Sequence, residues 1–194
     1  MMGDKIQAKK IMNDFGVPVV PGSEGKIKDV DHAITISNEI GYPVLLKASA
    51  GGGGRGMQIV KNDEELRKVL PILKQEALSF FGNSDIYVEK FIDSPRHIEI
   101  QVMCDTHGNF LHLYERDCSV QRRNQKVIEE ALATDISEDN KKKLYRICTD
   151  AMSRMGYLGL GTLEFLYSDG NFYFMEMNTR IQVEHPITEM ITRI

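Results

Sequence analysis

The sequence predicts an α+β fold with two lobes and antiparallel sheets, and three observations carry that reading. Apolar stripes of helical period alternate along the chain with short strand-like runs. The longest of those runs switches to a strict period of two and returns through turn residues rather than through a helix. The length, 194 residues, divided by about 150 residues per domain, allows one domain or one with a small lobe. With 42% apolar and 27% charged residues the chain can bury a sizeable core, which excludes wholesale disorder.

The elements follow in order. Asp4–Phe15 reads as a helix, broken by the turn-rich Gly16-Val-Pro-Val-Val-Pro-Gly22. A second helix covers Val30–Ile40 and stops at Gly41. Pro43–Lys47 is a short apolar strand running into the glycine cluster, and Met57–Val60 is the returning strand. A helix starts at Asn62 or Asp63, with Leu66, Val69, Leu70, Leu73, Ala77 and Phe80 on one stripe. Pro71 is expected to kink or split it. From Ile86 the period is two: Ile98, Ile100 and Val102 alternate with Glu99, Gln101 and Met103, and a turn at Asp105–Asn109 leads into Phe110–Tyr114. Another strand spans Lys126–Ala131. Ser137 caps a helix with Leu144, Ile147, Cys148, Ala151 and Met155 on its stripe and Gly156 at its end. Two strands, Gly161–Leu166 and Phe172–Met177, flank Ser168-Asp-Gly170.

Charge and cysteine usage exclude several classes. Twenty-four Lys+Arg against 28 Asp+Glu leave a net charge of −4, against a general nucleic-acid or membrane-surface binder. No apolar run approaches the roughly 18 residues of a membrane span, and no signal-peptide pattern is present. Cys104, Cys118 and Cys148 form no C-x-x-C, so neither a disulfide framework nor a cysteine-rich zinc site is expected. A reducing, cytoplasmic location follows.

Ala50-Gly-Gly-Gly-Gly-Arg-Gly56 matches G-x-G-x-x-G, but a strand follows it where a dinucleotide fingerprint needs a helix. A strand–glycine loop–strand flap remains, whose bare N–H groups can close over phosphate oxygens beside Lys47. The bland alternative is a flexible surface loop.

For the final hairpin, a three-residue loop with Gly170 left-handed pairs Glu164 with Phe174 and Thr162 with Glu176. Glu164 and Glu176 are then diagonal neighbours on one face, about 7–8 Å apart, and Asn178 joins them. Two carboxylates and an amide suit a hard cation that keeps phosphate partners. The alternative is the polar face of an exposed hairpin. In Asn178-Thr-Arg-Ile-Gln-Val-Glu-His-Pro186, Arg180, Gln182 and Glu184 share a face if the segment is extended. Arg180 offers a fork to a carboxylate-like anion and Glu184 a base; a solvated edge is the alternative. His97, His112 and His185 have no metal-ligand spacing, and composition gives Tyr114–Arg123 no role.

The motifs Met2-Gly-Asp-Lys5, Lys47-Ala-Ser before the glycines, Glu89-Lys90, Pro95-Arg-His-Ile-Glu-Ile-Gln101, Glu115-Arg-Asp-Cys-Ser119 with Gln121-Arg-Arg123, and Glu176–Pro186 stand in this order. Together they resemble biotin carboxylase, the ATP-grasp component of biotin-dependent carboxylases such as the acetyl-CoA carboxylase of fatty acid biosynthesis. The resemblance implies an ATP-grasp fold over residues 1–194, with a glycine-flap lobe at approximately 46–115 and the remainder in the catalytic lobe. It implies that Lys5, Lys47, Gly53 and Gly54 contact ATP phosphates, that Glu89, Lys90, Phe91 and Ile92 lie beside the adenine, and that His97 and Gln121 line the nucleotide site. Glu164, Glu176 and Asn178 would hold two Mg²⁺ or Mn²⁺ ions. Lys126, Arg180, Gln182, Val183 and Glu184 would surround bicarbonate, with Glu184 as its base.

The activity so implied is ATP-dependent carboxylation, through carboxyphosphate, of biotin on a biotinyl carrier protein, with a carboxyltransferase component as further partner. A homodimer is expected for the full-length protein. Family members carry a Rossmann-like domain before this segment and a further stretch after it, so a central fragment with little or no turnover alone is expected. Asn124 stands where many members have a nucleotide-contacting histidine. The alternatives are another ATP-grasp ligase, such as a carbamoyl-phosphate synthetase half, and a nucleotide-binding module without turnover.

Overall fold

The computed structural model describes residues 5–50, 55–123 and 125–194, with the side chains of the first two left out. The chain order is α1 (Lys5–Asp14), α2 (Val30–Ile40), β1 (Val44–Ala48), β2 (Met57–Val60), α3 (Asp63–Phe81), β3 (Ile86–Lys90) and β4 (Arg96–Cys104). It continues with β5 (Phe110–Arg122), β6 (Gln125–Glu130), α4 (Glu138–Met155), β7 (Gly159–Ser168), β8 (Asn171–Asn178) and α5 (His185–Thr192). Two compact units result, one of Val20–Ile92 and one of Met1–Val19 with Asp93–Ile194. The first of these differs from the 46–115 expected for the glycine-flap lobe, whose residues 51–54 lie outside the described residues. It takes in α2, which packs on its sheet, and stops before β4, whose ladder partners β5 and β7 lie in the other unit.

In the unit Val20–Ile92, β1 is the middle of an antiparallel sheet ordered β2-β1-β3. Alternation sends Val44, Leu46 and Ala48 into the core, against Leu66, Leu70, Leu73 and Ala77 of α3, and leaves Lys47 on the other face. Asp29 caps α2 by accepting from the His32 N–H at 2.8 Å, and Asn62 caps α3 through the Glu65 N–H at 2.9 Å. Contrary to expectation, Pro71 leaves α3 unbroken over 19 residues. It sits on the exposed side of the helix, while buried leucines before and after it hold both halves on the sheet. Phe80, expected on the buried stripe, is 74% exposed.

In the other unit the sheet order is β6-β5-β4-β7-β8, all antiparallel. Ile98, Ile100, Val102, Leu163, Phe165 and Phe174 form a core with α1 and with Leu144, Cys148, Ala151 and Met152 of α4. Ser137 caps α4 and a left-handed Gly156 ends it. Each of those fully buried aliphatic or aromatic side chains is worth about 1.5–3 kcal/mol. The stretch from Tyr114, which composition left unassigned, continues β5 to Arg122. A bulge between the pairs Ile100–Glu115 and Val102–His112, with Tyr114 at φ 64°, lets Glu115 face the core and Arg116 the opposite side.

Candidate functional site

The face of the β6-β5-β4-β7-β8 sheet away from the Ile98–Ile100–Val102 core carries a buried polar cluster. Glu99 on β4 pairs in register with Arg116 on β5 and Glu164 on β7, so three charged side chains share one rung. Glu99 and Arg116 are fully buried and Glu164 is 5% exposed. Burial of this kind is tolerated only when each charge is matched. Arg116 achieves it with five partners. It donates to Glu99 Oε2 from Nη2 at 2.9 Å and Nε at 3.2 Å, to Gln101 Oε1 at 2.8 Å, and to Thr188 Oγ1 and Gln182 Oε1 at 2.9 Å. A longer bond reaches Thr162 Oγ1 at 3.3 Å.

Lys126, on β6, is the second cation. Its ammonium contacts Glu99 Oε1 and lies 2.6 Å from Glu184 Oε1 and 3.2 Å from Glu164 Oε1. Burial alone would lower its pKa, but Glu99, Glu164 and Glu184 outweigh that and hold it above the ordinary lysine range. His97 is the third. Its Nε2 is 3.1 Å from Glu164 Oε2 and 3.3 Å from Glu99 Oε1, without the alignment of a hydrogen bond to either. Burial opposes its charge, yet the Glu164 and Glu99 carboxylates raise the imidazole to about 9. Burial would likewise raise Glu99, but His97, Lys126 and Arg116 outweigh it and hold the carboxyl at about 2. Glu164 is lowered in the same way despite its burial, by His97 first and then Lys126.

The hairpin reaches this arrangement by a route other than the expected one. Its loop has two residues, Asp169 and Gly170, at φ 49° and 80°, so Ser168 pairs with Asn171. That register alone would set Glu164 opposite Met175. A bulge at Met175 restores the face: Phe165 pairs with Phe174, Glu164 with Glu176, and Thr162 with Asn178. The carboxylates are therefore directly opposed rather than diagonal. Asn178 Nδ2 donates to Glu164 Oε1 at 2.7 Å, leaving its carbonyl oxygen for a cation. Two carboxylates and an amide oxygen are hard donors that fit Mg²⁺. Such an ion competes with the Lys126 ammonium and the His97 ring for Glu164.

The terminal run is not extended as expected. Backbone pairing ends at Asn178, and the chain turns into α5, with Pro186 in its first turn. Gln182 is buried and links Arg116 to Glu164, donating from Nε2 to Glu164 Oε1 at 3.0 Å, and Glu184 reaches Lys126. Arg180 and Val183 do not share that face. Arg180 is exposed and donates to its neighbour's carbonyl at 3.1 Å, and Val183 is 93% exposed. The reason is the turn after the strand, which ends the alternation on which a shared face depends. Gln121 donates to the Cys118 carbonyl at 2.9 Å.

In the unit Val20–Ile92, Lys47 Nζ is 2.5 Å from Glu89 Oε2, and Lys90 Nζ donates to the carbonyls of Gly41 at 2.8 Å and Tyr42 at 3.2 Å. Phe91 N–H donates to the Pro43 carbonyl at 3.2 Å, and Ile92 closes the unit. Gly53, Gly54 and Asn124 lie outside the described residues, as does the Lys5 side chain.

Single-residue reading gave no role to Glu99, Gln101, Arg116, Thr162 or Thr188. The signals were β4 itself, where Glu99 and Gln101 alternate with three aliphatics and are as buried as they are, and the motifs Pro95–Gln101 and Glu115–Ser119.

A unit with a three-stranded antiparallel sheet, and another whose five-stranded sheet buries carboxylates and cations on one face, define an α+β protein of the ATP-grasp class. The family model described as carbamoyl-phosphate synthase L chain, ATP binding domain, matches residues 4–194, and the chain belongs to that family. It is 52% identical over 195 residues to the biotin carboxylase of Haemophilus influenzae, covering 100% of this chain and 44% of that protein. It is 53% identical to the propionyl-CoA carboxylase alpha chain of Ruegeria pomeroyi, covering 100% of this chain and 28% of that one. Among solved structures, the biotin carboxylase domain dimer of Hydrogenobacter thermophilus 2-oxoglutarate carboxylase, with MgADP, ADP and bicarbonate, matches with TM-score 0.92 and 52% identity. That match covers 100% of this chain and 43% of the other. The chain spans less than half the length of these relatives.

Proposed function

We propose that the protein carboxylates biotin on a carrier protein, using ATP and bicarbonate. The reading rests on one observation: the Lys126 ammonium lies among Glu99, Glu164 and Glu184, beside the Glu164–Glu176 pair. It puts a cation and a base next to hard-metal donors. Glu164, Glu176 and Asn178 would hold Mg²⁺ or Mn²⁺, which when bound would supply charge neutralisation to phosphate oxygens. Lys126 and Gln182 bind bicarbonate, Arg180 and Val183 join them only when the turn after Asn178 rearranges around the anion, and Glu184 takes its proton.

A free glutamate, with pKa about 4.3, is a weak base for that task. In this structure Glu184 is paired with Lys126, and bicarbonate arriving on Lys126 replaces that partner. The bicarbonate oxygen then attacks the γ-phosphate, giving carboxyphosphate and ADP. Carboxyphosphate breaks its C–O bond to give CO₂ and inorganic phosphate, the phosphate takes the N1 proton of biotin, and N1 forms the new C–N bond to CO₂. Lys5, Lys47, Gly53, Gly54, His97, Gln121 and the segment 89–92 serve the nucleotide. The carrier and a carboxyltransferase component are the partners, and a homodimer is the assembly, as in the H. thermophilus domain. Among the described residues no helix is long and apolar enough to cross a membrane. We place the protein in the cytoplasm, although chloroplastic biotin carboxylases also occur among its relatives.

ADP release by the full-length protein, coupled to a dehydrogenase readout, tests the reading. Release that needs both bicarbonate and biotin, and a Glu184→Gln variant that loses kcat far more than KM for ATP, is the expected result. Release driven by ammonia in place of biotin would move the protein to the carbamoyl-phosphate branch of the family.

A further inference from the structure

The sulfur of Cys118 is not used by the function proposed above. It is fully buried on β5, and its thiol makes no hydrogen bond among the described residues. Its Sγ and one carboxylate oxygen each from Glu99 and Glu184 all lie within 4.8 Å of one another. Glu99 is itself fully buried, and its Oε1 makes no bond of hydrogen-bond geometry; it meets only the charges of Lys126 and His97. Two carboxylates and one sulfur therefore lie together, and the Lys126 ammonium contacts both carboxylates.

We propose that Glu99, Cys118 and Glu184 form a site for a thiophilic divalent cation of the Zn²⁺ class, entered by displacing the Lys126 ammonium. A mixed thiolate–carboxylate set with about 2.0–2.3 Å bonds suits Zn²⁺ or Co²⁺ and is poor for Mg²⁺, which avoids sulfur. The site therefore differs in chemistry from the Glu164–Glu176–Asn178 donors. On binding, the Cys118 S–H bond breaks, its electron pair forms the metal–sulfur bond, and the proton leaves to solvent. Burial pushes the free thiol up, so this proton must be displaced and binding weakens as pH falls. The Lys126 side chain, 20% exposed, is the route in.

Occupancy would withdraw Glu184 and Lys126 from bicarbonate and so inhibit turnover. That consequence rests on the proposed function; the binding itself does not.

Co²⁺ added alone to the 194-residue chain reads the site directly. The expected result is a sulfur-to-cobalt charge-transfer band in the near ultraviolet, removed by Zn²⁺ and unaffected by Mg²⁺. Cys118→Ser, close to isosteric, should fold with unchanged circular dichroism and lose the band, and Glu184→Gln should weaken Co²⁺ binding at least about tenfold. Absence of the band in the wild-type chain would overturn the proposal. So would a band that persists in Cys118→Ser, since Cys104 or Cys148 would then carry it, or one that Mg²⁺ removes.

Discussion

Glu164 and Glu176 face each other across β7 and β8 because Met175 is absorbed as a bulge between them and a two-residue turn. Opposed in register, the two side chains offer oxygen donors from neighbouring strands to one hard cation. Glu176→Gln, at a half-buried position, should leave the fold intact and weaken Mg²⁺ binding in the presence of an ATP analogue by at least about tenfold. Titration calorimetry checks this. Unchanged affinity would take Glu176 out of the metal site.

Arg116 lies 2.9 Å from Glu99 and is fully buried with it. Arg116→Leu removes one of the three cations around that carboxylate and leaves Gln101, Gln182 and Thr188 without that buried donor. It should cost about 3–5 kcal/mol of stability, read by urea unfolding. Arg116→Lys should recover little of it. An ammonium cannot reproduce the planar fork that serves Glu99, Gln101, Thr162, Gln182 and Thr188 together.

Stability without metal should fall at both ends of the pH range. His97 is raised from 6.5 to about 9 in the folded chain, so its contribution is complete below about pH 6.5 and disappears as pH rises through 9. Glu99 is lowered from 4.5 to about 2, so its contribution is complete above about pH 4.5 and disappears as pH falls through 2. Urea midpoints measured against pH should show both arms, and His97→Gln should remove the alkaline one. A His97 ring titrating near 6.5 by NMR would contradict the arrangement.

Gly22 lies so close to β3 that an added Cβ would sit 2.3 Å from the Val88 carbonyl oxygen. The obstacle is backbone, which cannot rotate away. Gly22→Ala should therefore destabilise the unit Val20–Ile92 by about 1–3 kcal/mol, seen as faster hydrogen exchange in β1 and β3.

Helices and strands were legible in the sequence wherever one face is apolar. Asn62 and Ser137 announced α3 and α4, and Ile98, Ile100 and Val102 announced β4, because capping and side-chain period are local properties. The residue types of Glu164, Glu176, Asn178 and Glu184 were also readable, as candidate oxygen donors and a candidate base. Tertiary structure alone decided how these groups meet. The bulge at Met175 compensates a loop one residue shorter than the pattern suggested, and the turn after Asn178 separates Arg180 from Gln182 and Glu184. Pro71 stays within α3 because the leucines around it are anchored on the sheet. The partnership of Glu99, Arg116 and Lys126 comes from the registers in which three consecutive strands, β4, β5 and β6, pair side by side, including their bulges. Burial there turns ordinary surface charges into a matched set, since a charge taken from water persists only beside its opposite.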